Sequence, residues 1–235
     1  MKANNEQQQH PLSTGRAVNI SRNGNHQYWI GNGPRMSSVT AMLRHIEGDT
    51  FGIGLNWGLK IARENNGDLN APRQATKASI EIGNQLHEAI DEFITHGTVR
   101  EEDPVFLAWY HAVGTQNFIA SERFLYHPEM AYGGTCDAIS MNEHGAISIA
   151  DWKTISPDHL QKYGTALKIN KDSAQLAAYA YALRAMDSIW APTEGYITYV
   201  ARDGSDAIQV QVDLERGMSL FKASHALYLL TKNGT

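Results

Sequence analysis

The residues best suited to chemistry in this chain are Asp137, in the run Gly133-Gly-Thr-Cys-Asp137, and Asp151 with Lys153, in Ala150-Asp-Trp-Lys153. Side chains alternate faces along a strand, so Asp151 and Lys153 point one way and Trp152 the other. The turn candidate Asn142-Glu-His-Gly145 centres near residue 144, which sets Asp137 across from Asp151 or one residue off it. Two carboxylates and an ammonium then converge on one patch of sheet. Burying them costs several kcal/mol each unless they are paired. A divalent cation removes that cost, because paired carboxylates with a backbone carbonyl are hard oxygen ligands suited to Mg²⁺, which keeps waters and can hold a substrate phosphate. A lysine beside them orients or deprotonates an attacking water and stabilises charge developing on the phosphate. The competing reading is a solvated Asp–Lys pair at a strand end, with Asp137 in a turn.

Two further groups stand on helices. His87 lies one position off the centre of the apolar stripe Ile82, Leu86, Ile90, Phe93 and Ile94, and Gly97 marks the end of that helix. It is either a packed, hydrogen-bonded histidine or a nitrogen ligand, and a nitrogen ligand favours tolerance of Mn²⁺ beside Mg²⁺. Gln175 and Tyr179, at i and i+4 in an alanine-rich helix, are either a hydrogen-bonded pair in a packed face or an amide and phenol that position a phosphate or carboxylate.

The elements that must position these groups follow from periodicity. Residues 1–22 are polar and aperiodic and read as a disordered tail; 23–73 form an N-terminal accessory element; 74–235 form the core. In the accessory element a hairpin is expected over residues 26–36, then a helix capped by Ser37 or Ser38 and another near 59–64. The core reads as a helix over 79–95, a helix over 105–118, three antiparallel strands (121–126, 134–140, 146–153), a helix over 173–186, strands at 196–200 and 208–212, and a closing helix at 215–230. That order predicts an α/β domain with a mixed central sheet flanked by helices.

His87, the G-x-x-D of Gly134 to Asp137, the D-x-K-T of Asp151 to Thr154 and the Q-x-x-x-Y of Gln175 to Tyr179 occur in the order found in RecB-like nucleases of the PD-(D/E)xK superfamily, which residues 75–200 resemble. The resemblance implies a restriction-endonuclease-like core in which Asp137 and Asp151 bind a catalytic Mg²⁺ or Mn²⁺ with the Trp152 carbonyl beside them. It implies that Lys153 orients the hydrolytic water, His87 adds a metal contact, and Gln175 with Tyr179 supports the site or the DNA strand. Glu122, on the first core strand, ranks lower as a further metal-site acid. The proline of the superfamily name is absent, with Cys136 standing before Asp137. The stretch Ser37-Ser-Val-Thr-Ala-Met-Leu43 is similar to one preceding the core in phage exonucleases and in the mitochondrial genome maintenance exonuclease. The implied activity is exonucleolytic hydrolysis of DNA in phage or recombination and repair processing, with a recombination or replication protein as a further partner. The alternatives are a structure- or sequence-specific endonuclease on the same core, or a nucleic-acid-binding protein without catalysis.

Composition fits these expectations. The 235 residues carry 20 Lys+Arg and 25 Asp+Glu, a net charge of -5 that argues against a uniformly basic nucleic-acid surface. The excess is local: between Glu81 and Asp103 stand seven acids and one base, whereas residues 35–77 hold six bases and four acids. Lys162, Lys168 and Lys171 form a basic loop between the D-x-K strand and the Gln175 helix and are candidate phosphate contacts. Tyr28, Trp29 and Trp57 suit base stacking but are read as core. The single Cys136 excludes a cysteine-ligated iron–sulfur cluster and fits a reducing compartment. Neither an apolar span nor a targeting peptide is apparent, so a cytoplasmic protein is expected, in the host cytoplasm if phage-encoded.

Overall fold

Glu6–Pro11 (β1), Ala17–Arg22 (β2) and Tyr28–Ile30 (β3) form an antiparallel sheet in the computed structural model, which describes residues 6–46, 51–164 and 169–232. The tail expected to run to residue 22 is therefore strand from residue 6. Its polar residues are the outward half of an alternating pattern whose inward half buries His10 and Ile20 completely. The expected hairpin over 26–36 is also redrawn. Asn23 Oδ1 accepts from the amides of Asn25 and Gln27, so the chain turns there and β3 pairs with β2, leaving Met36 one isolated bridge to Tyr28.

A second, mixed sheet holds the core. Ser37–Ser38 (β4) lies parallel to Tyr132–Met141 (β6), and Phe118–His127 (β5) pairs antiparallel with β6 along most of its length. Ile147–Ile155 (β7) is antiparallel to β6 and parallel to Glu194–Ala201 (β8), which pairs antiparallel with Ala207–Gln211 (β9). Ser38 caps Val39–Met42 (α1) by accepting from the Ala41 amide at 3.2 Å. Phe51–Glu64 (α2) is longer than expected and leads to Ala71–His96 (α3), which ends where Gly97 takes a left-handed φ of 73°.

Helices cover both faces of the mixed sheet. On one, Leu86, Ala89 and Ile90 of α3 pack with Phe106, Trp109 and Val113 of Pro104–Val113 (α4) against Ala138, Ala150, Trp152 and Val200. Burial of a Leu, Ile or Phe here contributes on the order of 2 kcal/mol each. The helix expected over 105–118 stops at Val113, and Phe118 begins β5, stacked on Trp109 with ring centroids 5.9 Å apart. On the other face lie Asn170–Ala185 (α6) and Leu214–Lys232 (α7), preceded by a short helix Pro157–Tyr163 (α5). The small buried residues of α6 let α7 approach closely: a Cβ added at Gly217 would meet the Ser173 carbonyl at 2.5 Å. No helix among the described residues is long and apolar enough to cross a membrane.

Candidate metal centre

The β6–β7 ladder closes at Ala138 opposite Ala150, and one step further along it stand Asp137 and Asp151, the first of the two pairings that the turn position allows. Asp137 Oδ2 accepts the Trp152 amide at 2.7 Å, which fixes this carboxylate to the neighbouring strand. Lys153 Nζ lies 2.5 Å from Asp151 Oδ2. Trp152 turns the other way into the α3–α4 face, 5.4 Å from Trp109 and 5.9 Å from Phe118 between centroids. Asp151 is 1% exposed, and its Oδ1 has no hydrogen-bond partner among the described residues. A solvated Asp–Lys pair is therefore not what the strand end holds.

His87 and Glu122 complete the cluster. His87 Nδ1 is 3.7 Å from Asp137 Oδ2 and 3.8 Å from Glu122 Oε1, while its Nε2 meets the Trp152 carbonyl at 3.2 Å. One ligand atom from each of His87, Glu122 and Asp137 falls within 4.8 Å of the others. Glu122, ranked low from sequence, is thus central, and it reaches this position with a φ of 46°, inside the left-handed region that non-glycine residues avoid.

The charges report a site crowded with acid. Burial pushes the Asp151 carboxyl up to about 6, with the Asp137 charge adding to the rise and Lys153 opposing it. Burial likewise raises Asp137, against the pull of His87 and Lys153. For His87 burial works downward, but Asp137, Glu122 and Asp151 outweigh it and lift the imidazole to about 9. Burial also works downward on Lys153, and Asp151 with Asp137 overcomes it to raise the ammonium above its usual range. The converging carboxylates of Glu122 and Asp137 and the His87 imidazole, with the buried Asp151 carboxylate on the adjoining strand, are a donor set that fits a divalent cation of the Mg²⁺ or Mn²⁺ kind.

The remaining predicted residues divide. Gln175 Nε2 donates to Tyr179 Oη at 3.0 Å, and the Tyr179 ring packs beside Gly134, on the same strand as Asp137. A cleft of about 310 Å³ opens on the cluster, lined by His87, Glu122 and Asp137 and by Arg22 and Tyr28 of the N-terminal sheet with His26 from the turn between them. Lys162 does not join the cluster. The expected loop is partly helical there, because Pro157 suits the first turn and Asp158 favours its dipole. Lys162 lies on α5 with Nζ 4.9 Å from the Tyr163 ring centroid, beside a separate groove of about 540 Å³ between α2 and α5. Trp57, read as core, is 43% exposed along that groove, opposite Tyr163 at 41%. Lys171 stands in the first turn of α6, and Lys168 lies outside the described residues.

Sequence reasoning missed three contributors. Asp172, in the first turn of α6, is held by the Tyr199 hydroxyl at 2.7 Å and adds to the field on Lys153. Arg22 and Tyr28 both reach Thr135, at 3.3 and 3.0 Å, closing the cleft from the segment taken for a tail and its neighbour. The alternation of Val18 and Ile20 was the one available signal for that sheet.

A mixed sheet with helices on both faces presents a buried acid pair, a lysine two residues on and a helical histidine. The sequence model of the PD-(D/E)XK nuclease superfamily matches residues 96–217, and the chain belongs to that superfamily, whose members use divalent metals. The match takes in Glu122, Asp137, Asp151, Lys153, Gln175 and Tyr179, with His87 preceding it. No curated protein matches the chain. Among solved structures, the crystal structure of SSO0001 aligns at 17% identity over 81% of this chain and 75% of that one, with a TM-score of 0.40.

Proposed function

We propose that the protein is a Mg²⁺- or Mn²⁺-dependent DNA exonuclease of the RecB-like kind, acting in phage or recombination and repair processing. The observation that carries this reading is the meeting of Asp137, His87 and Glu122 in the wall of an open cleft, with the buried Asp151–Lys153 pair on the adjoining strand. Asp137, Asp151, Glu122 and His87 would hold the cation, with the Trp152 carbonyl beside them. When bound, the cation supplies neutralisation of phosphate charge and acidification of water. Lys153, kept protonated by its carboxylate neighbours, is suited to orient a water and to meet charge developing on the phosphate rather than to take a proton. The Gln175–Tyr179 pair braces the helix side of the site.

For the DNA strand, the groove between α2 and α5 supplies contacts of the right chemistry. Trp57 and Tyr163 offer ring faces to bases, and Lys60, Lys162 and Arg202 offer cations to phosphates. Lys171, in the first turn of α6, would extend this surface. The exonuclease branch is supported by the similarity over Ser37–Leu43, whose Ser38 caps α1.

The test is end-labelled single-stranded, duplex and covalently closed circular DNA incubated with Mg²⁺ or Mn²⁺, with product lengths followed over time. Mononucleotides from linear DNA and an intact circle are expected. Cleavage of the circle would replace the exonuclease with an endonuclease, and undiminished cleavage by Asp151→Ala would remove the assigned site.

A further inference from the structure

The strained acid of the metal cluster is held from 114 residues away. Among the described residues β5 is paired on one side only, by β6, and Glu122 sits in it with a left-handed φ of 46°. The register is the same on both sides of it, Ser121 opposite Ala138 and Arg123 opposite Cys136, so the strand dimples at Glu122 without slipping. A non-glycine residue stays in that region only when its surroundings over-determine it. The open edge of β5 meets one side chain that does so. Gln8 Nε2 donates to the Glu122 carbonyl at 2.7 Å, and Gln8 Oε1 accepts from the Phe124 amide at 2.9 Å.

This carboxamide does the work of a neighbouring strand. It offers one donor and one acceptor to the two backbone groups that flank Arg123, as a paired peptide would. Glutamine is suited to this and glutamate is not, since a carboxylate has no proton to donate. The contact is supported along β1. Arg123 Nη2 donates to the Gln9 carbonyl at 3.2 Å, its guanidinium lies 4.8 Å from the Trp190 ring centroid, and Leu12 bridges to Ser188.

We propose that Gln8 is a positioning residue for the metal centre: its side chain pins the backbone on both sides of Arg123 and thereby holds the Glu122 carboxylate beside His87 and Asp137. The proposal rests on the reading of Glu122 as a metal ligand, and it makes the N-terminal sheet part of the site rather than an appendage.

The experiment measures Mn²⁺ affinity of the full chain by calorimetry in the wild type, Gln8→Met, Glu122→Gln and the double variant, with circular dichroism of each. Methionine keeps the length of the side chain and removes both hydrogen bonds. Gln8→Met is expected to weaken Mn²⁺ by about tenfold, the low end of what partners supporting metal ligands contribute. Glu122→Gln is expected to weaken it by at least as much, and the double variant no further than Glu122→Gln alone. Gln8→Ala, which introduces no bulk, serves the same comparison if Gln8→Met does not fold. Wild-type affinity in the folded Gln8 variant with a weakened Glu122→Gln overturns the positioning role and leaves the metal site standing. Wild-type affinity in Glu122→Gln overturns both. Additive losses in the double variant assign Gln8 a structural role independent of Glu122 and also overturn the proposal.

Discussion

Gly134 and Tyr179 occupy a single space: a Cβ built on Gly134 falls onto Cε1 of the Tyr179 ring and within 3.1 Å of its Cδ1. The glycine of the G-x-x-D motif is therefore a packing requirement, because the ring is buried and its hydroxyl is tied to Gln175. Gly134→Ala is expected to lose about 1–3 kcal/mol of stability, the usual cost of overpacking a filled site. Urea unfolding measures it. Tyr179→Leu in the same chain should recover part of the loss, and strict additivity of the two changes would show that they do not share this space.

Asp151 and Lys153 differ in what their removal leaves behind. Lys153→Met strands a buried carboxylate without its nearest counter-charge, which breaks a pair from the worse side and should cost about 2 kcal/mol given the partial exposure of the lysine. Asp151→Asn removes an acid from a site with two others and leaves the ammonium near Asp137 and Asp172, so it should cost less. Both should abolish DNA cleavage. Thermal unfolding beside a cleavage assay checks this, and the reverse stability ranking would contradict the charge argument.

The acid pair was legible because strand alternation and one turn narrow it: with the turn centred near residue 144, Asp137 falls across from Asp151 or one residue off it. His87 was legible as an offset in a helical stripe. What escaped was set by contacts distant in sequence. The inward side of β1 and β2 offers one histidine and a few apolar residues, too little to outweigh three consecutive glutamines on a periodicity count. The value of Glu122 rests on a backbone angle that residue type does not announce. Trp57 fits an amphipathic α2 and was read as core, but the cover it needs would come from α5, which instead stands off across a groove.

A site where two carboxylates and an imidazole converge beside an orphaned Asp151 oxygen should gain stability when its charge is met. Mn²⁺ at a hundredfold over its dissociation constant is expected to stabilise the fold by about 2.7 kcal/mol through mass action alone. In Asp137→Ala that rise in melting temperature should largely vanish. Scanning calorimetry with and without Mn²⁺ decides it, and an equal rise in both proteins would locate the cation elsewhere.

The α2–α5 groove predicts a preference among nucleic acids. Trp57→Ala and Tyr163→Ala should each weaken binding of a single-stranded oligonucleotide by about 1–3 kcal/mol, the range for loss of one stacked base, and change duplex binding far less. Fluorescence anisotropy in the Asp151→Asn background separates binding from cleavage. Equal losses on single and double strands would mean that the rings do not stack on bases.

His10 gives the N-terminal sheet a pH dependence of its own. The imidazole is fully buried with no hydrogen-bond partner for either nitrogen among the described residues, and burial, aided by the Arg123 charge, lowers it from 6.5 to about 4. The folded state thus resists a proton that the unfolded chain accepts. Stability from this residue is complete above pH 6.5 and is lost as pH falls toward 4, by about 2 kcal/mol at pH 5. His10→Leu keeps the buried volume and removes the titration. Its melting temperature should fall less steeply than that of the wild type between pH 7 and 5, and parallel curves would show that His10 is not the group that acid reaches. Since β1 also carries Gln8, wild-type Mn²⁺ affinity should weaken over the same interval more than in His10→Leu if acid loosens the strand as well as the fold.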